Sequence, residues 1–269
     1  MKLTLSILLT VLLAAAAFGQ KEPVKTTETK PKTETKTTEA KTVEIKTPAV
    51  KMPTVQEILA KYVQAIGGRA NYEKIKSRSM KGSVEIPAAG IKGTFENYAA
   101  APDKSVNKAT LTGVGEIIEG FDGTNAWSIN PIQGNRDKQS EELMQTKLTN
   151  NFYRDINLDK LYAKMELKGI EKLGDKDVYV IVGTPENLPS ETFYFDAKSG
   201  LLLRQDSTII SPEGKVPTKT FFEDMREVDG VKIPFVIRSA LPQFEIVVTV
   251  TEVKNNVPVK DAMFTKPKA

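Results

Sequence analysis

"EVDGVKIPFVIRSALPQFEIVVTVTEVK", residues 227–254, decides how the chain is read. Asp229-Gly230 is hairpin-turn chemistry, and the runs on either side of "ALPQ" read as strands. In the second run Phe244, Ile246, Val248 and Val250 share one face, while Glu245, Thr249 and Thr251 share the other. Such period-two alternation marks a strand with one buried side and one wet side. The pattern recurs along the chain. "SMKGSVEI" sets Met80, Val84 and Ile86 against Ser79, Lys81, Ser83 and Glu85, and "PAAG" then turns the chain into "IKGTFENYA". Further strands are expected near 104–111, 115–121, 125–130, 164–172, 177–184, 190–196, 200–209, 215–225, 232–240 and 243–254. Asp122-Gly123, Gly174-Asp175, "DAKSG" and "SPEG" punctuate them as turns. About twelve short strands joined mainly by hairpins make an antiparallel meander.

Helical signals are few. Thr54 and Glu57 have capping-box spacing, Val55, Ile58, Leu59, Tyr62 and Ile66 follow at helical intervals, and Gly67-Gly68 supplies the stop. A shorter helix, "RANYEKIKS", comes next. The strand series is then interrupted once, by "DKQSEELMQTKLTNNFYRDINLDKLY" (137–162), where Met144, Leu148 and Phe152 fall at i, i+4 and i+8. That segment reads either as a plug of the core or as a movable lid.

A sheet this wide must cover its apolar face, as a sandwich, as a closed barrel, or by curling around helices. About three helices cannot plate it flat. The expectation is therefore a mainly β protein: a curled antiparallel sheet forming an unclosed half-barrel of about 11–12 strands, with the helices in or over its hollow. Such a hollow holds a ligand, whereas a sandwich with a dry core would alternate in much the same way.

Composition removes whole classes of chemistry. The 269 residues include no Cys and no His, which excludes disulfides, Cys/His zinc sites, cysteine nucleophiles and a Ser-His-Asp triad. Residues 1–19, "MKLTLSILLTVLLAAAAFG", read as a cleavable signal peptide with Ala17 and Gly19 at −3 and −1; a membrane anchor is the other reading. Residues 20–52 are a Lys/Thr/Glu/Pro-rich tract without aromatics, expected to be a disordered tether, and the folded domain is expected over 53–267. Lys2 and the eight Lys against five Glu of residues 21–51 account for the entire formal charge of +4. The folded part is thus neutral and lacks the footprint of a nucleic-acid binder. Glu223, Asp224, Glu227 and Asp229 cluster in "FEDMREVDG", but no motif orients them for catalysis, and "FDGTN" lacks the calcium ligand series. No cofactor or metal is expected.

The order "EILAKYVQAIGG", "IKSRSMKGSVEIP", "GFDGTNAW", a mid-chain helix, "ETFYFDAKSGLLLR" and "MREVDGVKIPF" resembles the outer-membrane lipoprotein-sorting (LolA-like) superfamily over about residues 53–265. The resemblance implies an unclosed barrel, a helical lid and an apolar cavity for acyl chains. It further implies an exported, soluble, non-catalytic periplasmic carrier of a lipid or lipoprotein, serving membrane-bound donor or acceptor proteins. In that family a strand arginine helps latch the lid; Arg204 is the nearest candidate here, and an ordinary exposed strand arginine is the alternative. Relatives of the fold also act as lipid transporters or envelope-stress sensors, so a β-rich sensor or protein-interaction module is the other function class. On the carrier reading Met144, Leu148 and Phe152 face cargo from the lid, Trp127 lines the mouth, and Phe235, Ile237, Phe244, Ile246 and Val248 form the wall. Each of these would serve equally as plain core.

Overall fold

The computed structural model describes residues 52–267. The signal-peptide and tether readings therefore lie outside the described residues, Met52 excepted. Thr54 caps the first helix, α1 (Val55–Ala65), as its spacing foretold: Glu57 N donates to Thr54 Oγ1 at 3.2 Å and Thr54 N donates to Glu57 Oε2 at 2.7 Å. Helix α2 (Arg69–Lys74) follows directly. Gly67 between them is required by contact, since a Cβ there would lie 2.1 Å from the Gly230 carbonyl oxygen. The buried face of the pair is Ile58, Leu59, Tyr62, Ile66 and Tyr72.

The strands run β1 (Ser77–Ile86), β2 (Ile91–Ala100), β3 (Lys104–Leu111), β4 (Gly115–Phe121), β5 (Ala126–Asn130) and β6 (Gly134–Lys138). Helix α3 (Ser140–Asn150) and the short helix α4 (Leu158–Leu161) interrupt them, with a 3-10 turn at Arg154–Ile156 in between. Then come β7 (Lys164–Leu173), β8 (Lys176–Thr184), β9 (Glu191–Asp196), β10 (Leu202–Ser211), β11 (Gly214–Val228), β12 (Val231–Ala240) and β13 (Glu245–Asn255). All thirteen form one antiparallel sheet in the order 6-5-4-3-2-1-13-12-11-10-9-8-7. The topology is two meanders joined along a central seam, β1 against β13, with β6 and β7 as the open edges.

This is the unclosed half-barrel expected from the alternation, with one strand more than the reading found. The missed strand, β6 ("GNRDK"), has no apolar alternation; its one buried residue is Lys138. The stretch 227–254 behaves as read. Asp229 and Gly230 both adopt positive φ in the β11–β12 turn, and Ile246, Val248 and Val250 are buried together. Across the strands Phe222, Ile237, Val248 and Val84 stand directly opposite one another in sequence, an apolar row through the centre of the helix-bearing face.

Candidate functional site

The segment between β6 and β7 joins the two open edges by crossing the helix-bearing face of the sheet. Helix α3 starts at β6, where Arg136 donates two hydrogen bonds to the Glu142 carboxylate, 2.6 and 2.7 Å, and Lys138 Nζ lies 3.1 Å from Glu119 and 3.9 Å from Glu142. Toward its other end Ser105 Oγ on β3 donates to Asn150 Oδ1. Its flank reaches the opposite wall: Gln145 donates to Thr208 O at 2.7 Å and accepts from Ile210 N at 3.0 Å, standing in for a strand neighbour where β10 outruns β9. The buried line of α3 is Glu142, Thr146 and Asn150, which is polar throughout.

The sheet beneath that line is polar as well. Asn97, Asn107, Glu119, Ser128 and Arg136 are directly opposed residues on β2 to β6, in an unbroken register. Asn97 and Ser128 are fully buried, and Asn107 and Glu119 nearly so. Asn97 Nδ2 donates to Asn107 Oδ1 at 2.6 Å. This row lies in phase with Phe95 and Ala99 of the core, so it belongs to the helix-bearing face.

Beyond α3 the chain turns back through a second network. Arg154 Nη2 donates to Glu191 Oε2 at 2.7 Å and to the Tyr162 hydroxyl; that hydroxyl donates to Glu191, and Gln205 Nε2 adds a fourth bond at 2.7 Å. All four side chains are buried. Burial opposes the Arg154 cation, but the Tyr162 oxygen and the Glu191 carboxylate outweigh it and hold the guanidinium above its usual value. Neighbouring Asp155 is buried facing Tyr62, Tyr72 and Arg78. Burial first, then the Asp155 charge, pushes both phenols above their usual range, and burial lowers Arg78. Arg69 fastens the same segment to α2 through Ile156 O and Asn157 Oδ1.

Between α1 and this returning segment opens a cleft of about 430 Å³; Leu59, Ala60, Val63, Ile156 and Leu158 give it an apolar surface, and Gln56, Gln64, Arg69, Asp155 and Asp159 are its polar groups. The volume falls in the range of small-molecule sites. By contrast, the space between α1 and β11–β12 is filled, leaving about 10 Å³ beside Tyr62 and Phe222. A larger groove, about 620 Å³, lies on the outer face of β2–β5, where Tyr98, Val106, Ile118 and Trp127 meet the C-terminal segment at Ala262–Pro267.

The structure gathers Phe152, Phe235, Ile237, Ile246 and Val248 in one buried cluster, with Leu148 and Phe244 half-buried against it. Phe152 lies past the end of α3, and Met144 is exposed on the helix, 36%. Trp127 points to the other side of the sheet. It is 2% exposed, its Nε1 donates to Phe264 O at 3.1 Å, and its ring lies so flat over Gly120 that a Cβ there would sit 2.2 Å from it. Arg204 also stands outside, paired with Asp206 and stacked 4.4 Å from the Tyr194 ring centre. Two other arginines tie the crossing segment to strands: Arg136 on β6, through Glu142 of α3, and Arg154, carried by the segment itself, through Glu191 on β9. Of the acidic cluster, Glu223 and Asp224 pair with Arg238 and Arg226, and Asp229 accepts from Asn255. Sequence reading passed over Arg154, Asp155, Glu191 and the Asn97–Arg136 row. Only the phase of Asn97 between Phe95 and Ala99 carried a signal.

A LolA superfamily protein from Nitrosomonas europaea superposes with a TM-score of 0.53 at 14% identity, over 80% of this chain and 99% of that one. The fold is LolA-like. A DUF1329 family protein from Desulfovibrio piger matches this LolA-like chain at TM-score 0.53 and 17% identity, over 78% and 97% of the two chains. A protein domain from Vibrio parahaemolyticus, described as outer membrane lipoprotein-sorting, matches at 0.51 and 10%, over 77% and 94%. No family model and no curated protein sequence matches the chain. Among the described residues no helix of this LolA-like domain is long and apolar enough to cross a membrane.

Proposed function

We propose that the protein is a non-catalytic carrier that holds the acyl chain of a lipid or lipoprotein and moves it through the periplasm between membrane-bound donor and acceptor proteins. The observation that carries this reading is the cleft of about 430 Å³ between α1 and the segment crossing a LolA-like sheet, with Leu59, Val63, Ile156 and Leu158 on its surface and polar groups among them. Each methylene that leaves water for such a lining gains about 0.8 kcal/mol. Leu59, Val63, Ile156 and Leu158 are the first contacts. The crossing segment then shifts as a lid, and Leu148 and Phe152, with the wall of Phe235, Ile237, Phe244, Ile246 and Val248, meet the rest of the chain. Residues 1–19 serve as the export signal and 20–52 as a tether.

Native mass spectrometry of the gently purified protein, followed by solvent extraction, is the test. Acyl species should co-purify, and Ala60→Asp with Val63→Asp, which charges the cleft at residues that are not fully buried, should lower uptake of an added fatty acid at least tenfold. A clean ligand-free mass with no uptake by the wild type overturns the reading. A second reading, a protein-interaction or sensor module, is favoured by the outer groove, which is larger than the cleft. Trp127, the single tryptophan, lines that groove and separates the two. An occupant of the cleft leaves its emission unchanged, whereas an occupant of the groove shifts it.

A further inference from the structure

The polar row beneath α3 is hard to explain as packing alone. Five opposed residues on five strands, Asn97, Asn107, Glu119, Ser128 and Arg136, replace what is an apolar row elsewhere on the same face. Burying polar groups costs free energy unless they are paired. Asn97 Oδ1, Asn107 Nδ2 and Ser128 Oγ are buried with no hydrogen-bond partner among the described residues. Asn97 Nδ2 and Asn107 Oδ1 are spent on each other, so the pair is left with one oxygen, Asn97 Oδ1, and one NH₂ group, Asn107 Nδ2, without a partner. The charged groups around them, Glu119 and Glu142 against Arg136 and Lys138, balance. An anionic head such as a phosphate finds no surplus cation. A neutral secondary amide fits, because its N–H completes Asn97 and its carbonyl completes Asn107. Helix α3 sets a primary amide beside the row: Asn150 Oδ1 accepts from Ser105, two residues along β3 from Asn107, and Asn150 Nδ2 donates to Thr146 O at 2.9 Å.

We propose that the Asn97–Asn107–Ser128 row is the seat of a secondary amide at the head of the carried acyl chain, occupied by the polar face of α3 until cargo displaces it. The proposal rests on the carrier reading and adds the chemical class of the headgroup.

The test compares N-methyl hexadecanamide with methyl hexadecanoate, probes of one chain length that differ in N–H against O. Partition into an apolar medium favours the ester, so a preference for the amide reports the protein. The wild type should bind the amide about tenfold more tightly, the value of one buried hydrogen bond made rather than left open. Asn97→Leu with Asn107→Leu should bind both alike. Should that variant fail to fold, the side-chain NH₂ signals of Asn97 and Asn107 in the 15N spectrum of the wild type decide, since they should move with the amide and stay with the ester. Equal wild-type affinity for the two probes overturns the amide seat and leaves the carrier standing; no binding of either overturns the carrier itself. N-acetylglycine methylamide, which has the amide without the chain, should not bind. If it binds as well as the acylated probe, the row takes peptide and the proposal falls.

Discussion

The two meanders share a fold and differ in their floor. On β11, β12 and β13, continuing into β1, the opposed residues facing the helices are Phe222, Ile237, Val248 and Val84, all buried in the core, and Tyr62 of α1 and Tyr72 of α2 close over the Phe222 end leaving almost no space. On β2 to β6 the corresponding surface is Asn97, Asn107, Glu119, Ser128 and Arg136, and α3 lies on it through Glu142, Thr146 and Asn150. An apolar floor binds its helix through area removed from water and gains little from letting go. A polar floor exchanges protein hydrogen bonds for water or ligand hydrogen bonds at a much smaller net difference. On the carrier proposal the first half stays shut and the second opens.

Four measurements test that contrast. The largest effect belongs to Glu191→Ala, which strands buried Arg154 without its carboxylate; stability in denaturant titration should fall by about 3–5 kcal/mol. Ile237→Ala should cost about 2–5 kcal/mol through the cavity it leaves in the apolar row, with no special loss of protection in α3. Glu142→Gln should act the other way round. A global loss of about 1–3 kcal/mol accompanies a larger local one, seen as faster hydrogen exchange along α3 than along β12. If α3 exchanges as slowly as β12 in both proteins, the contrast between the halves is wrong.

The smallest effect tests what the halves have in common. Asp122 in "FDGTN" and Asp196 in "FDAKSG" close one hairpin in each meander by the same device. Asp122 accepts from Thr124 N and Asn125 N at 2.8 and 2.7 Å, and Asp196 accepts from Lys198 N and Ser199 N at 2.7 and 3.0 Å. Burial raises both carboxyls, but these donors outweigh it and hold both below the ordinary aspartate value. A depressed carboxylate stabilises the fold above its unfolded pKa of about 3.9, and the contribution is lost as pH falls through the folded value. Asp196→Asn should therefore cost about 1 kcal/mol at pH 7, with the difference from wild type shrinking below about pH 4. A difference that is constant with pH would show that the charge contributes nothing.

Legibility followed the same divide. The apolar half could be read from "KIPFVIRSALPQFEIVVTV" because alternation of hydrophobic and polar residues tracks burial wherever the floor is apolar. On the other half that equation fails. Lys138 is buried in a strand without alternation, and Asn97 and Asn107 read as wet although they face inward. Helix α3 shows the same inversion, since Met144 marks the apolar line that sequence favours while Glu142, Thr146 and Asn150, at identical spacing, are the line that docks. The Arg154–Glu191 pair joins residues 37 apart in sequence and leaves no local pattern.

The pairing of β1 with β13 sets an order of events. A chain that emerges amino-terminus first presents Ser77–Ile86 with one side of its backbone open, and nothing satisfies that side until residues 245–255 arrive. Both meanders zip by short hairpins, but they remain separate leaves until the final strand slots between β1 and β12 as a keystone. A chain cut short before Glu245 would keep both leaves and lose the hinge line that makes them one vessel, exposing two raw strand margins to whatever chain lies nearby.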